Sequence, residues 1–216
     1  NTFVWDTRYK GAEVLDGMIF WSASFSGAKA VPGNYEVILE KNGISQKQSF
    51  EILQDPRSEV TLSEMKEQFD FVNLVNSSVD KAHKAIKNIR TIRKKLEDFE
   101  VLHKENITLN SLLKKAEKLN QSLTKIEKAL YQTQNKSNQD PLNFPIRLTN
   151  KLGHLNQLVT INDFPPTDQD EIVRKLLTKK IDENLEEYEK LIKEDLRLFN
   201  ENFSKLNLDY LTINEN

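Results

Sequence analysis

Residues 61–99 read TLSEMKEQFDFVNLVNSSVDKAHKAIKNIRTIRKKLEDF, and this stretch decides the fold. Thr61 and Glu64 have the spacing of a capping box, in which a hydroxyl and a carboxylate satisfy free amides at a helix start. Beyond this cap, apolar side chains return every three or four residues, which is the period of one helix face. These positions are Met65, Phe69, Val72, Val75, Val79, Ala82, Ile86, Ile89, Ile92, Leu96 and Phe99. The pattern predicts a helix over 61–99 with one apolar stripe.

Three more helical segments are predicted downstream, over 107–134, 145–161 and 167–205. Residues 61–134 and 167–216 contain neither Gly nor Pro, as long helices require. The stripe of the second helix is Leu109, Leu112, Ala116, Leu119, Leu123, Ile126 and Leu130. The stripe of the last helix, which follows the break at Pro165 and Pro166, is Val173, Leu177, Ile181, Leu185, Tyr188, Ile192, Leu196, Phe199 and Phe203.

These helices cannot be stable alone, because each must bury its stripe against another surface. At about 1.5 Å per residue, the first and last helices each approach 60 Å. Residues 58–216 are therefore predicted to form an elongated antiparallel bundle of about four helices. Stripes left uncovered would pack on another domain or, in a homodimer, on a second copy.

Residues 1–57 have the composition of a small β module, with five of the six glycines and both tryptophans. The β-type runs 35–40 and 46–53 flank Asn42-Gly43, a dipeptide that supplies the positive φ angles of a tight hairpin turn. Residues 2–9 and 18–24 are further strand candidates. About four strands are too few for a closed sandwich, so an unpaired sheet edge is expected. The predicted fold class is α+β.

Composition excludes several classes of function. The chain carries 31 Lys and Arg against 33 Asp and Glu, a net charge of −2, which argues against a nucleic-acid partner. No apolar run approaches the roughly 20 residues that cross a bilayer, so no membrane insertion is expected. The absence of cysteine excludes disulfides, thiolate zinc sites and cysteine nucleophiles.

No catalytic, metal-ligating or cofactor-binding residue is predicted. Paired carboxylates would suit glycoside hydrolysis, but Glu183, Glu186, Glu187 and Glu189 lie among lysines on a polar helix face, where solvated charge is the default. The three histidines, His83, His103 and His154, fall on separate segments without the spacing of a zinc site. His83 lies beside an apolar stripe and is interpreted as a packed side chain.

The aromatic residues of the β module allow two interpretations, packing in a core and stacking on a sugar ring. Strand alternation would place Phe3 and Trp5 on one face, which favours the core for Trp5. Trp21 is the better candidate for a ligand-facing aromatic. The sequence therefore keeps a carbohydrate-binding or carbohydrate-processing unit as an alternative to a structural role.

The stretches 1–9, 30–37 and 55–57 resemble the C-terminal region of bacterial secreted proteins with a sortilin-like β-propeller, often labelled glycosyl hydrolases of the Asp-box repeat type. Residues 140–152 are similar to a second signature of that region, and Pro166-Thr167 stands where those proteins begin their last helix. The Trp-Asp and Pro-Gly-x-Tyr patterns also resemble the immunoglobulin-like module of flagellar hook-capping proteins.

The resemblance implies an immunoglobulin-like module over 1–57 and an accessory region downstream of a propeller that carries any substrate site. It implies that the upstream β-propeller of the same protein is the partner and that the protein lies outside the cytoplasm, periplasmic or secreted. Because the chain starts at Asn1 rather than Met, we expect a piece of a longer protein, whose earlier segments supply the remaining strands. The resemblance supplies no catalytic residue for this chain.

Overall fold

The computed structural model describes residues 2–206 of the chain, and Asn1 and residues 207–216 lie outside the description. The fold class is α+β, as predicted. A two-stranded antiparallel sheet precedes the helices. The regular elements are β1 (Gly33–Lys41), β2 (Ile44–Ile52), α1 (Leu62–His103), α2 (Asn110–Leu130), α3 (Leu148–Val159), α4 (Asp168–Leu191) and α5 (Arg197–Ser204).

The long helices begin where their caps predict. The hydroxyl of Thr61 accepts a hydrogen bond from the amide of Glu64, whose carboxylate accepts one from the Thr61 amide at 2.7 Å. Thr167 and Asp170 form the same capping box at the start of α4. The hydrogen bond from the Thr61 backbone holds the pKa of Glu64 below its ordinary value. Each carboxylate also lies at the positive end of its helix dipole.

Helices α1 and α4 run parallel to each other. Arg174 near the start of α4 lies over the ring of Phe71 near the start of α1, at 5.7 Å. At the other end, the rings of Phe99 and Phe199 meet edge to face at 5.5 Å. The 42 residues of α1 make it about 60 Å long, so these contacts span most of an elongated bundle.

Helices α2 and α3 run antiparallel to α1, one after the other. Arg90 contacts Glu127 near the end of α2, and Arg93 also contacts Asn120, two turns earlier in α2. Gln68 near the start of α1 donates to the carbonyl of Val159 at the end of α3, at 3.0 Å. All four predicted helical segments are helical, and because α2 and α3 follow one another along α1, a section across the bundle meets three helices.

The predicted stripes form the core. All seven stripe positions of the second helix are buried, and so are most of those on α1. On the last helix Leu177, Ile181 and Phe199 are buried, whereas Val173 is exposed. A π-helical turn, Ile192–Leu196, joins α4 to α5. At either end of this turn Leu191 and Leu196 pack against the core.

The hairpin prediction is confirmed. β1 and β2 pair in register from Gly33↔Ile52 to Lys41↔Ile44. Asn42 and Gly43 form the two-residue turn, with φ angles of 51° and 79°. Both angles are positive, as a turn that matches the twist of the flanking strands requires.

The prediction of about four strands is wrong. Between residues 2 and 32 the structure contains isolated bridge pairing but no strand, neither over 2–9 nor over 18–24. Thr7 and Ser22 have φ angles of 61° and 45°, which turn the chain out of an extended conformation inside both predicted strands. Arg8 and Lys29 form an isolated antiparallel bridge, where residues 7–12 lie alongside 25–30.

Side chains of the bundle take the place of strand partners for residues 2–32. Asn150 of α3 accepts a hydrogen bond from the amide of Trp21 and donates one to its carbonyl, both at 2.8 Å. Asn156 donates to the carbonyl of Ser24 at 3.0 Å. The same segment places Phe20 and other apolar side chains against the helical core. Residues 2–32 thus share the core of the helices.

Candidate functional site

The hairpin presents an apolar face that the rest of the described chain covers only at its base. Residues directly opposite each other in a sheet share a face, and so do alternate residues along a strand. By this rule one face carries the apolar side chains Tyr35, Val37, Leu39, Ile44 and Phe50, and Lys41, Gln46 and Gln48 share that face with them. We call the five apolar residues the apolar hairpin face.

Three aromatic rings anchor the base of the hairpin. Trp5 lies 6.0 Å from Tyr35 and 6.3 Å from Phe50, and the rings of Tyr35 and Phe50 stack at 5.9 Å. The indole of Trp5 donates to the carbonyl of Arg8 at 2.7 Å, and the Tyr35 hydroxyl donates to that of Val31 at 2.6 Å. Burial raises the pKa of Tyr35 above its ordinary value, and the neighbouring Tyr9 adds to the effect. These contacts fix the base of the hairpin against residues 5–9 and 31.

The outer half of the apolar hairpin face is bare. Val37, Leu39 and Ile44 are 51%, 68% and 70% exposed. On the opposite face, Glu36 and Lys47 form an ion pair at 3.1 Å. Ile38 is the one large apolar side chain that β1 and β2 place on that opposite face. An antiparallel sheet normally packs its more apolar face against another layer. This surface can bind another protein surface, and it offers no group for bond-breaking chemistry.

A cavity of about 340 Å³ lies where the hairpin meets the bundle. Its lining includes Val31, Leu53, Met65 and Gln68. The charged groups in its wall are already paired, Lys29 with Asp163 at 3.1 Å and Asp55 with Arg57 at 2.7 Å. Hydrogen bonds from Arg57 lower the pKa of Asp55 to about 2. The Gln68 amide donates to the carbonyl of Val159 at the end of α3 and to those of Asn162 and Phe164 in the segment that follows. The Lys29–Asp163 pair thus joins the segment before the hairpin to the bundle, and Gln68 joins α1 to the end of α3 and the segment that follows it.

Trp21, the aromatic residue predicted to face a ligand, is 40% exposed. Its backbone is fixed on both sides by the side chain of Asn150. Ser22 and Gln157 beside it hydrogen-bond at 3.2 Å. Trp5, interpreted as a packed side chain, is half-buried against the hairpin, and Phe3 is exposed rather than on a shared face with it.

The three histidines do not lie together, and each contacts a backbone carbonyl or an aromatic ring. His83 is buried, its Nδ1 contacts the carbonyl of Glu13, and its Nε2 has no partner. Burial lowers the pKa of His83 below its ordinary value, which favours the neutral ring. His103 packs on Phe99 at 4.8 Å, and His154 contacts the carbonyl of Ser22 at 2.7 Å.

The acidic residues of α4 lie on its outer face. Glu183, Glu187 and Glu189 each have a lysine ammonium within 4.0 Å, and Glu186 is exposed. Within residues 2–206 no group of three or more His, Asp or Glu side chains is arranged to hold a metal ion. Across the same residues no helix has the length and apolar composition needed to span a bilayer.

Sequence reasoning missed the apolar hairpin face as a candidate site. The signal was partial, since Tyr35, Val37 and Leu39 alternate with Glu36, Ile38 and Glu40, so one apolar residue interrupts the alternation. Alternation predicts an apolar face, but whether that face is covered depends on distant segments.

Comparisons of the chain with family models, with curated proteins and with solved structures find no match.

Proposed function

We propose that this chain is a non-catalytic accessory region of a secreted bacterial protein and that it mediates packing between domains. The partner is the polypeptide upstream of Asn1, which comprises the remaining strands of an immunoglobulin-like module and a sortilin-like β-propeller. The region holds the propeller at one end of a rigid helical rod outside the cytoplasm. The bare outer half of the apolar hairpin face is the observation that carries this proposal.

Two physical arguments support it. A two-stranded hairpin is at best marginally stable by itself, and its stability rises when further strands or a second layer cover its apolar face. Contiguous apolar patches of a few hundred Å² on soluble proteins usually mark interfaces. Val37, Leu39 and Ile44 are exposed apolar side chains next to the anchored aromatic base, so a partner would bind a surface that is already ordered.

The test is binding of the chain to the upstream polypeptide, produced separately and titrated by calorimetry. Leu39→Glu places a charge on the apolar hairpin face and should weaken binding by about 2 kcal/mol or more, near thirtyfold, since a buried unpaired charge is costly. Val101→Glu is the matched control, because Val101 is 73% exposed at the far end of the bundle. Equal binding by wild type and Leu39→Glu, or no binding at all, would refute the proposal.

A second function, carbohydrate binding, is favoured by one observation, the exposure of Trp21 on a fixed backbone. An exposed indole on a fixed backbone suits stacking on a sugar ring. Trp21→Ala should then reduce retention of the chain on insoluble polysaccharide several-fold. Phe164→Ala is the control, since Phe164 is another exposed aromatic residue on a different loop. Retention of Trp21→Ala at the wild-type level would exclude this function.

A further inference from the structure

The outer edge of β2 is an unpaired strand edge of defined geometry. The described residues form a sheet of two strands, and within residues 2–206 the backbone of β2 bonds to no segment other than β1. The Ser49 carbonyl accepts from the exposed side chain of Gln48 in β2 itself, at 3.2 Å, and a second strand would displace that amide. β2 is nine residues long and nearly all of it is exposed. An exposed edge of this length is a template for another strand.

The hairpin turn determines which backbone groups face outward. Lys41 and Ile44 close a two-residue turn, so they form a pair that exchanges both hydrogen bonds. Hydrogen-bonded and non-hydrogen-bonded pairs alternate along the ladder. The residues of β2 whose N–H and C=O groups point away from β1 are therefore Ser45, Lys47, Ser49 and Glu51.

Two opposite charges lie at equal distances from the centre of this edge. Lys47 and Glu51 flank Ser49 at equal distances along the strand. If β2 meets β2 of a second copy across a two-fold axis at Ser49, each Lys47 lies directly opposite Glu51 of the other copy. Opposite charges in directly paired positions stabilise an antiparallel ladder, and like charges destabilise it. In the isolated chain Lys47 already pairs with Glu36, so it would lie between two carboxylates.

Other two-fold arrangements lack this complementarity. An axis at Lys47 or at Glu51 sets like charges face to face, and an axis at Gln48 pairs neither charge. On the edge of β1, an axis at Glu36 sets it opposite itself. An axis at Ile38 sets Glu36 opposite Glu40, and an axis at Val37 forms no charge pair.

We propose that two copies of this chain associate through the edges of β2, in an antiparallel ladder centred on Ser49, to form a continuous four-stranded sheet. Even-numbered residues of β2 share a face in this register, so the two apolar hairpin faces lie side by side. The association uses the edge of the hairpin and goes beyond the proposed domain packing, which uses its face. A two-fold pair of identical surfaces is also the commonest symmetry of protein assemblies.

The test measures the mass of the 216-residue chain by sedimentation equilibrium over a wide range of concentrations. The wild-type chain should shift from 25.1 kDa toward twice that mass. Lys47→Glu should raise the dimer dissociation constant about tenfold or more, because it replaces two attractive pairs by two repulsive ones. Lys47→Glu combined with Glu51→Lys should restore the wild-type constant.

Proline variants distinguish the two edges. Ser49→Pro removes an outward N–H without removing a bond to β1, and should abolish the dimer. Ile38→Pro does the same on the edge of β1, opposite Lys47 in the hairpin, and should leave the dimer intact. A chain that stays monomeric throughout, or a dimer that survives both Lys47→Glu and Ser49→Pro, would overturn the proposal. These outcomes concern the chain alone and are independent of binding to the upstream polypeptide.

Discussion

Gly27→Ala is expected to lower the free energy of unfolding by about 2–3 kcal/mol, the upper part of the range for forced overpacking. Residues 9–12 and 25–28 lie backbone against backbone, with the amide of Tyr9 donating to the carbonyl of Ala28 at 2.9 Å. A methyl group on Gly27 would overlap the carbonyl of Tyr9 and lie 2.8 Å from the carbonyl carbon of Lys10. Main-chain atoms cannot rotate away as a side chain can, so the two stretches must separate.

Both tryptophans lie in the segment that this substitution disturbs, so fluorescence and circular dichroism report different parts of the chain. Emission from Trp5 and Trp21 follows residues 2–32, and ellipticity at about 222 nm follows the helices. In urea, the fluorescence transition of Gly27→Ala should move to lower concentration than the transition in ellipticity.

Gly17→Ala is the matched control for Gly27→Ala. Gly17 has a φ of 78°, and no atom lies within 4 Å of the position that its methyl group would take. Its substitution should therefore cost only the backbone preference, about 1 kcal/mol. A Gly27→Ala chain as stable as Gly17→Ala would show that residues 9–12 and 25–28 do not pack backbone against backbone.

Glu127→Ala is expected to destabilise the bundle by about 3 kcal/mol, the low end of the cost of removing one partner from a buried ion pair. The Glu127 side chain is 3% exposed, and its two oxygens accept from Arg90 at 2.7 Å and Arg93 at 2.8 Å. Its loss leaves Arg90 without an acidic partner and Arg93 with only Glu97, at 3.6 Å. The low end applies here, because both arginines are partly exposed and can turn toward water. Thermal and urea unfolding followed by ellipticity would measure the loss.

Glu187→Ala is the control on the neighbouring helix. Glu187 is exposed and lies 3.7 Å from Lys125, so its loss should change stability by less than about 1 kcal/mol. Replacing Glu127, Arg90 and Arg93 together by leucine should recover most of the stability lost in Glu127→Ala, since no charge is then stranded. If Glu127→Ala lost no more stability than Glu187→Ala, Glu127 would not be part of a buried ion pair.

The candidate site was predictable in part. The hairpin and its turn were evident from Asn42-Gly43 and the flanking β-type runs, because turn chemistry is local. That Val37, Leu39 and Ile44 remain bare could not be predicted, because exposure depends on where residues 2–32 go. They were expected to form strands beside the hairpin and instead lie against the helices.

The sequence by itself determined those helices and turns that depend only on residues close to each other in the chain. Capping boxes at Thr61 and Thr167, apolar periods of three and four, and the Asn42-Gly43 turn each act within one element, so neighbouring residues suffice to predict them. Only the tertiary structure decided the course of residues 2–32, where Asn150 and Asn156 satisfy backbone groups more than a hundred residues away. It also decided that α2 and α3 lie one after the other along α1 rather than side by side. The sequence around an asparagine in a helix does not show which distant group its side chain will bond, because that hydrogen bond depends on position in space rather than on spacing along the chain.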